Sequence, residues 1–104
     1  MAIDFAFRRK RTAKDRYIAL ELKQNLNTTQ CIHNMFKDVE KVWNMKSTED
    51  DIRSMWCLGL HPTSNEATVN RLISKYADQF ECELSDDCIY YQGIEDTDWG
   101  FTLF

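Results

Sequence analysis

Hydrophobic residues near the amino terminus occupy every second position. Ile3, Phe5 and Phe7 alternate with Asp4 and Ala6. A period of two residues is typical of a β-strand that buries one of its faces. We therefore predict a short strand at the start of the chain.

The segment 13–26 fits two patterns. Ile18 and Leu22 lie four residues apart, as on one face of a helix, whereas Ile18, Leu20 and Leu22 also alternate as on a strand. The run of strong helix formers at 19–24 favours the helix. We predict a helix here, with a strand as the alternative.

A clearer helical stripe follows this segment. Asn27 and Gln30 resemble a capping box, in which the asparagine side chain accepts a hydrogen bond from a backbone N–H group. The apolar residues that then share one helical face are Ile32, Met35, Phe36, Val39, Val42 and Trp43. This spacing predicts a helix whose apolar stripe belongs to the core.

Two further helices are predicted downstream. Residues 47–51 combine a capping residue with acids at the positive end of a helix dipole, and this helix is expected to end at Gly59, before Pro62. Its apolar residues are Ile52, Met55 and Trp56. Thr63 and Glu66 form a second capping box for the next helix. The apolar stripe of that helix consists of Val69, Leu72, Ile73, Tyr76 and Phe80.

The period returns to two residues in the last quarter of the chain. The alternating apolar positions are Cys82, Leu84, Ile89, Tyr91, Trp99, Phe101 and Leu103. The polar residues at 93–98 indicate the loop of a terminal hairpin, which needs a partner because an isolated hairpin is marginal in water. The expected fold class is α+β: three to four short helices packed with a small antiparallel sheet of the N-terminal strand and the C-terminal hairpin.

The length of the chain and the absence of membrane and export signals in its sequence indicate how many domains it has and where it is located. The chain has 104 residues, a common length for one domain, so we predict a single domain over 1–104. No stretch reaches the roughly 18 apolar residues of a membrane-spanning helix. Residues 1–7 are too short and too polar for a secretory signal, so we expect a cytoplasmic location. The thiols expected to be free there are Cys31, Cys57, Cys82 and Cys88.

The net charge of −4 is unevenly distributed along the sequence. Six of the nine residues at 8–16 are Lys or Arg, which make this segment a basic arm or a lead-in to a helix. Residues 78–104 contain eight Asp or Glu and no Lys or Arg. Surfaces of one sign steer association with oppositely charged partners. We expect either that the two ends neutralise each other or that one of them is a docking surface.

The reactive residue types do not form a catalytic or metal-binding pattern. The thiol of Cys57 lies four residues from His61, but its apolar neighbours disfavour an activated thiolate. No glycine-rich phosphate loop or nucleophile elbow is present. The Cys and His pairs without the spacing of a zinc site are Cys31 with His33, Cys57 with His61, and Cys82 with Cys88. We therefore expect no enzyme, no metal and no cofactor.

One segment has a motif-like sequence. Residues 67–73 resemble the recognition helix of bacterial and phage helix-turn-helix regulators, and the predicted helix at 48–58 and the turn at Gly59 precede them. The resemblance implies a DNA-binding regulator that uses residues 48–78, which is our alternative prediction. The residues that would contact DNA are Arg8, Arg9, Arg11, Asn70, Arg71 and Lys75. The acidic residues around the motif would repel phosphate.

The acidic end of the chain also contains aromatic residues. Carboxylates at the rim and aromatic anchors at the centre are ingredients of a protein interface. We therefore predict a small acidic intracellular protein that inhibits a partner by occupying its basic, nuclease-like surface, such as an immunity protein, an antitoxin or a phage-encoded inhibitor. The predicted contact residues are Glu83, Asp86, Asp87, Tyr90, Tyr91, Glu95, Asp96, Asp98 and Trp99.

Overall fold

A computed structural model describes residues 5–7, 17–46 and 52–104, with the side chains of 19–42 and 55–104. The elements in chain order are β1 (Phe5–Phe7), β2 (Tyr17–Gln24), α1 (Thr28–Lys46), β3 (Ile52–Pro62), α2 (Glu66–Gln79), β4 (Tyr90–Gly93) and β5 (Trp99–Leu103). A 3-10 turn at Asp86–Cys88 precedes β4.

The strands form one mixed sheet in the order β1-β2-β3-β5-β4. β2 and β3 are parallel and are connected by α1, while the other neighbouring pairs are antiparallel. Parallel neighbours need a long crossover because a tight turn reverses the chain direction. Residues of α1 and α2 form a single core cluster with Cys57 of β3 and Phe104, so both helices cover the same side of the sheet.

Side chains alternate between the two sides of the sheet along each strand. The covered face, which meets the helices, consists of the buried residues Ala19, Glu21, Cys57, Gly59, His61, Gly100 and Thr102. The outer face lies opposite, and its half-buried or exposed residues include Leu20, Leu22, Gln24, Trp56, Leu58, Leu60, Tyr90, Gln92, Trp99, Phe101 and Leu103.

The helix predicted from Asn27 onward is confirmed as α1. The Asn27 side chain accepts the backbone N–H of Gln30 at 2.9 Å and thereby caps the helix. Its fully or almost fully buried residues are Cys31, Ile32, Met35, Phe36 and Val42. Val39 is half-buried, and the side chain of Trp43 lies outside the described residues.

The apolar stripe of α2 is also confirmed as far as Tyr76, whereas Phe80, its last predicted member, follows the helix end at Gln79. Its buried residues are Val69, Leu72, Ile73 and Tyr76. The predicted cap is wrong, because Asn65 begins the helix and its side chain accepts the N–H of Ala67 at 2.8 Å. Thr63 cannot form the capping box with Glu66, since its own N–H is bonded to the carbonyl of Asp98 at 2.8 Å. The sheet therefore extends past β3 and delays the start of the helix.

The core between the helices and the covered face centres on Phe36. The centroid of its ring lies 4.7 Å from that of Phe104 and 6.0 Å from that of Phe80. Phe104 follows β5 and exchanges two backbone hydrogen bonds with Cys57, at 2.7 and 3.0 Å. One aromatic cluster therefore holds α1, the end of α2 and the carboxyl-terminal strand together.

The helix predicted at 13–26 is wrong, because Tyr17–Gln24 form β2. This strand pairs with β1 on one side and with β3 on the other. Hydrogen bonding to two neighbours outweighs helix propensities that differ by only a few tenths of a kcal/mol per residue. The alternation of Leu20 and Leu22 was the correct signal.

The helix predicted at 48–58 is also wrong. Ile52–Pro62 form β3, and Gly59 lies inside this strand rather than at a helix end. A Cβ atom at position 59 would lie 2.5 Å from the sulfur of Met35, so a larger residue would displace that side chain and with it the close approach of α1. The cap predicted at 47–51 lies outside the described residues.

The α+β class, the amino-terminal strand and the carboxyl-terminal hairpin are confirmed. The predicted three to four helices and purely antiparallel sheet are wrong, because the described residues form two α-helices and a mixed sheet. Both errors have one origin: two segments assigned to helices are the parallel pair β2 and β3. The basic arm at 8–16 lies outside the described residues. Neither described helix has the length and apolar composition needed to cross a lipid bilayer.

Candidate protein-binding surface

The chain between α2 and β4 carries exposed carboxylates. This group, the acidic shoulder, consists of Glu81, Glu83, Asp86 and Asp87. Ser85 begins the 3-10 turn within it: its hydroxyl accepts the N–H of Asp87 at 3.4 Å and its carbonyl accepts the N–H of Cys88 at 2.9 Å. These bonds hold Asp86 and Asp87 on a defined backbone.

Glu81 has an unusual backbone conformation, with φ of 54°. The N–H of Cys82 is bonded to the carbonyl of Ala77 at 2.8 Å, which is the pattern that ends a helix with one left-handed residue. Glycine adopts this conformation freely, whereas a residue with a Cβ atom pays about 1 kcal/mol or more. The chain therefore has a carboxylate where a glycine would be accommodated more easily.

The turn between β4 and β5 carries a second group of exposed carboxylates. This group, the acidic turn, consists of Glu95, Asp96 and Asp98. The Thr97 hydroxyl donates to the carbonyl of Ile94 at 2.9 Å and accepts the N–H of Trp99 at 3.1 Å. Asp96 has φ of 62°, a conformation that aspartate tolerates better than most residues. The turn is thus ordered by its own hydrogen bonds.

β4 separates the two acidic groups. The shoulder ends before Tyr90 and the turn begins after Gly93, so the four residues of the strand lie between them. At about 3.3 Å per residue, this strand spans about 13 Å. The predicted contact residues therefore form two groups at opposite ends of an edge strand rather than one patch.

The carboxylates of both groups are not paired with any described cation. Among the side chains described at 19–42 and 55–104, Lys23 forms an ion pair with Asp38 and not with either acidic group; its Nζ atom lies 2.9 Å from Oδ2 of Asp38. The expectation that the basic arm neutralises the acidic end concerns residues 8–16, outside the described part. The described residues therefore leave a negative potential at this end of the fold.

An apolar cleft of about 340 Å³ opens beside the acidic shoulder, between α1 and the residues after α2. Its apolar lining is Phe36, Val39, Phe80 and Cys82, and its exposed carboxylates are Glu40, Glu81 and Glu83. Lysine and arginine side chains have an apolar stem and a charged end. The composition of the cleft is complementary to such a side chain.

The predicted aromatic contacts differ in exposure because neighbouring strand positions face opposite sides of the sheet. Tyr90 is 51% exposed, and Trp99 is half-buried on the outer face. The Tyr91 hydroxyl donates to the carbonyl of Ser64 at 2.7 Å and accepts the N–H of Ser64 at 2.8 Å, while its ring stacks on His61. Tyr91 is thus engaged within the fold, and Tyr90 has the most exposed ring of the three.

A buried polar network joins β3, β5 and the helices. His61 and Thr102 are fully buried, with Nε2 and Oγ1 2.8 Å apart. The Nδ1 atom of His61 lies 2.9 Å from the carbonyl of Pro62, which only accepts, so Nδ1 carries the proton and Nε2 accepts from Thr102. The hydroxyls of Thr28 and Ser64, 2.9 Å apart, extend the network to α1 and to the residues before α2. These bonds satisfy the buried groups, so the network is structural.

The buried thiols are not reactive groups. Burial raises the pKa of Cys31 to about 11. Burial also raises the pKa of Cys57, and the nearby carboxylates of Asp38 and Glu21 raise it further. Cys57 donates to the carbonyl of Met35 at 3.5 Å. Both thiols stay protonated at neutral pH, and a protonated thiol is a poor nucleophile. All four cysteines are free, as expected.

Sequence reasoning missed an ionic cluster beneath α1. Glu21 is 4% exposed and Asp38 is 6% exposed, and Lys23 pairs with Asp38. Glu21 and Lys23 are two residues apart on β2, so both point toward α1. On a strand, Glu21 and Lys23 share one face, which would have indicated the cluster. The segment was predicted as a helix, in which residues two apart do not share a face. The cluster links β2 to α1.

The helix-turn-helix prediction is wrong for the described residues, because 52–58 belong to a central strand instead of a first helix. The candidate DNA contacts Asn70, Arg71 and Lys75 are exposed on α2. Arg8, Arg9 and Arg11 lie outside the described residues. No three His, Cys, Asp or Glu residues in the described part of the chain are grouped to hold a metal ion.

No family model, curated protein or solved structure matches this chain. Its function is therefore argued from the geometry of its own residues.

Proposed function

We propose that this chain is a cytoplasmic protein-binding inhibitor that occupies a basic surface of a partner protein and acts by binding rather than by catalysis. The observation that carries the proposal is the acidic shoulder. Its carboxylates are exposed, they form no ion pair with the described Lys and Arg residues, and they adjoin an apolar cleft.

The cleft supplies a place for a basic anchor residue of the partner. The stem of a lysine or arginine would lie on the half-buried Val39 and Phe80. Its charged end would reach the carboxylates of Glu40, Glu81 and Glu83. Charge-assisted hydrogen bonds of this kind are about twice as strong as neutral ones. An anchor residue in a pocket surrounded by rim charges is the usual arrangement of an interface hot spot.

The class of partner follows from this charge. A protein with a basic cleft that binds phosphate, such as a nuclease or a toxin, would accept carboxylates in place of phosphates. The exposed negative charge of the shoulder would also accelerate encounter at low ionic strength. The chain would then serve as an immunity protein, an antitoxin or a phage-encoded inhibitor.

Affinity capture with the full chain as bait, at low salt and with mass spectrometry, tests the proposal. Two matched baits each lack three carboxylates: E83Q/D86N/D87N in the shoulder and E95Q/D96N/D98N in the turn. We expect a basic protein that binds the wild type and the turn variant but binds the shoulder variant at least tenfold more weakly. Equal weakening in the two variants would refute the assignment to the shoulder, because the loss of three negative charges alone would then explain it. Equal capture by all three baits would exclude a role of either carboxylate group.

Glu81→Gly separates binding from folding. Glycine relieves the left-handed backbone, so we expect the free energy of unfolding to rise by up to about 1 kcal/mol. The same change removes a carboxylate from the cleft, so affinity for the captured protein should fall. A variant that is more stable and binds equally well would exclude a role of this carboxylate.

A further inference from the structure

The outer face is mostly apolar across four neighbouring strands, with Gln24 and Gln92 as its polar residues. None of its residues carries a charge, and a shallow depression on it is lined by Leu20, Trp56, Leu58, Tyr90 and Leu103. A sheet with one face in water usually alternates apolar and polar residues along each strand. Large apolar patches on proteins normally mark a surface that another molecule covers.

We propose that the outer face is the interface between two copies of this chain. The inference is independent of the proposed function, because α1 and the residues after α2 form the cleft, on the other side of the sheet.

The size of the face is sufficient for a dimer. Four strands spaced by about 4.8 Å and about six residues long at about 3.3 Å each give a projected area of about 400 Å². Side-chain relief increases this area, so two copies would bury on the order of 1,000 Å² or more in total, which is near the lower limit of a specific interface.

Charge and shape favour a second copy as the occupant. Each chain carries a net charge of −4, but the carboxylates of the shoulder and the turn lie beyond the two ends of β4 and not on the outer face. Glu66 is exposed beside Tyr90 and Gln92 at the β4 edge, so two acidic chains can meet over β2, β3 and β5 without opposing like charges. Two twisted sheets pack face to face at about 10 Å, and a twofold axis brings the same patch of both copies together.

Analytical ultracentrifugation of the full chain from micromolar to submillimolar concentration tests the dimer. We expect a concentration-dependent mass of twice the monomer, with a shift of tryptophan emission to shorter wavelength, since Trp56 and Trp99 lie on the face. Leu58→Lys should raise the dissociation constant at least tenfold. The matched control is Leu26→Lys, because Leu26 is 79% exposed in the loop before α1 and off the sheet.

Each other outcome overturns the inference. A wild type that stays monomeric over this range would leave the face to a different protein or to another segment of this chain. A dimer that is equally tight in Leu58→Lys would lie on another surface. If Leu58→Lys does not fold, the variant L58T/L103T keeps residues with good strand propensity. A folded L58T/L103T variant that dimerises like the wild type refutes the proposal.

Discussion

The buried face of the sheet contains more polar residues than its exposed face does, which is the reverse of the usual distribution. The covered face has Glu21, His61 and Thr102, which are polar and almost completely buried, whereas the outer face is more exposed and carries no charge. Polar groups are tolerated in the interior when a partner is fixed in place, as Thr102 is for His61. Exposed apolar side chains contribute hydrophobic free energy only when another surface removes them from water. The comparison implies that the covered face stabilises the monomer and that the outer face serves association.

The largest difference is expected between two phenylalanines. Phe36 is fully buried against Phe104, so Phe36→Ala should lower the free energy of unfolding by about 3–5 kcal/mol. Phe101 is half-buried on the outer face, so Phe101→Ala should cost about 1 kcal/mol in the monomer. Urea denaturation at low protein concentration measures both. Equal losses would contradict the distinction between the faces.

A smaller effect is expected from the ion pair between the half-buried Lys23 and the buried Asp38. Lys23→Met removes the cation beside Asp38, which is 6% exposed. We expect a loss of about 1–3 kcal/mol in the free energy of unfolding, since a buried carboxylate loses its compensation. The exposed Lys41→Met is the control and should change stability by less than about 0.5 kcal/mol. Adding Asp38→Asn to Lys23→Met should restore part of the loss; no recovery would mean that the pair is not the cause.

At neutral pH the smallest effect is expected from the buried thiols, because they lower stability only as the pH rises above 9. Burial raises the pKa of Cys31 from 9.0 to about 11, so between these values the unfolded chain is deprotonated while the folded chain keeps its proton. Stability is then fully present below pH 9 and falls by about 1 kcal/mol per pH unit for each such thiol as the pH rises toward 11.

Denaturation curves over this pH range measure the thiol effect. Cys31→Ala should make the decline shallower, whereas the exposed Cys88→Ala should leave the slope unchanged. An identical slope in wild type and Cys31→Ala would exclude a contribution from this thiol.

The sequence predictions were correct for elements that bury one side and wrong for elements that are covered on several sides. α1 and α2 bury one stripe each, so their period was readable from Ile32 or Val69 onward. β3 has strands on both sides and apolar residues on both faces, so Trp56 and Leu58 alternate only with Cys57 and the small Gly59. Within 55–60 no polar residue marks the period of the strand, so this part of β3 resembles a short apolar helix.

The candidate surface was partly predictable. The excess of carboxylates after residue 78 follows from composition, and their exposure agrees with the low tendency of Asp and Glu to be buried. Neighbouring strand residues face opposite sides, but only the packing of the sheet showed that Tyr91 faces Ser64 and His61 while Tyr90 is exposed. Nothing in the local sequence placed Glu40 of α1 beside Glu81 and Glu83, because packing of α1 and α2 forms that cleft.

The amino-acid sequence by itself determined the α+β class, the two amphipathic helices, the carboxyl-terminal hairpin and the separation of charge along the chain. These properties depend on spacing within about a dozen residues. Only the tertiary structure decided the parallel pairing of β2 with β3, the division of the acids into two groups, and the apolar outer face. Each of these depends on which distant strands pair, and pairing reflects burial and backbone hydrogen bonding across the whole sheet rather than local preference.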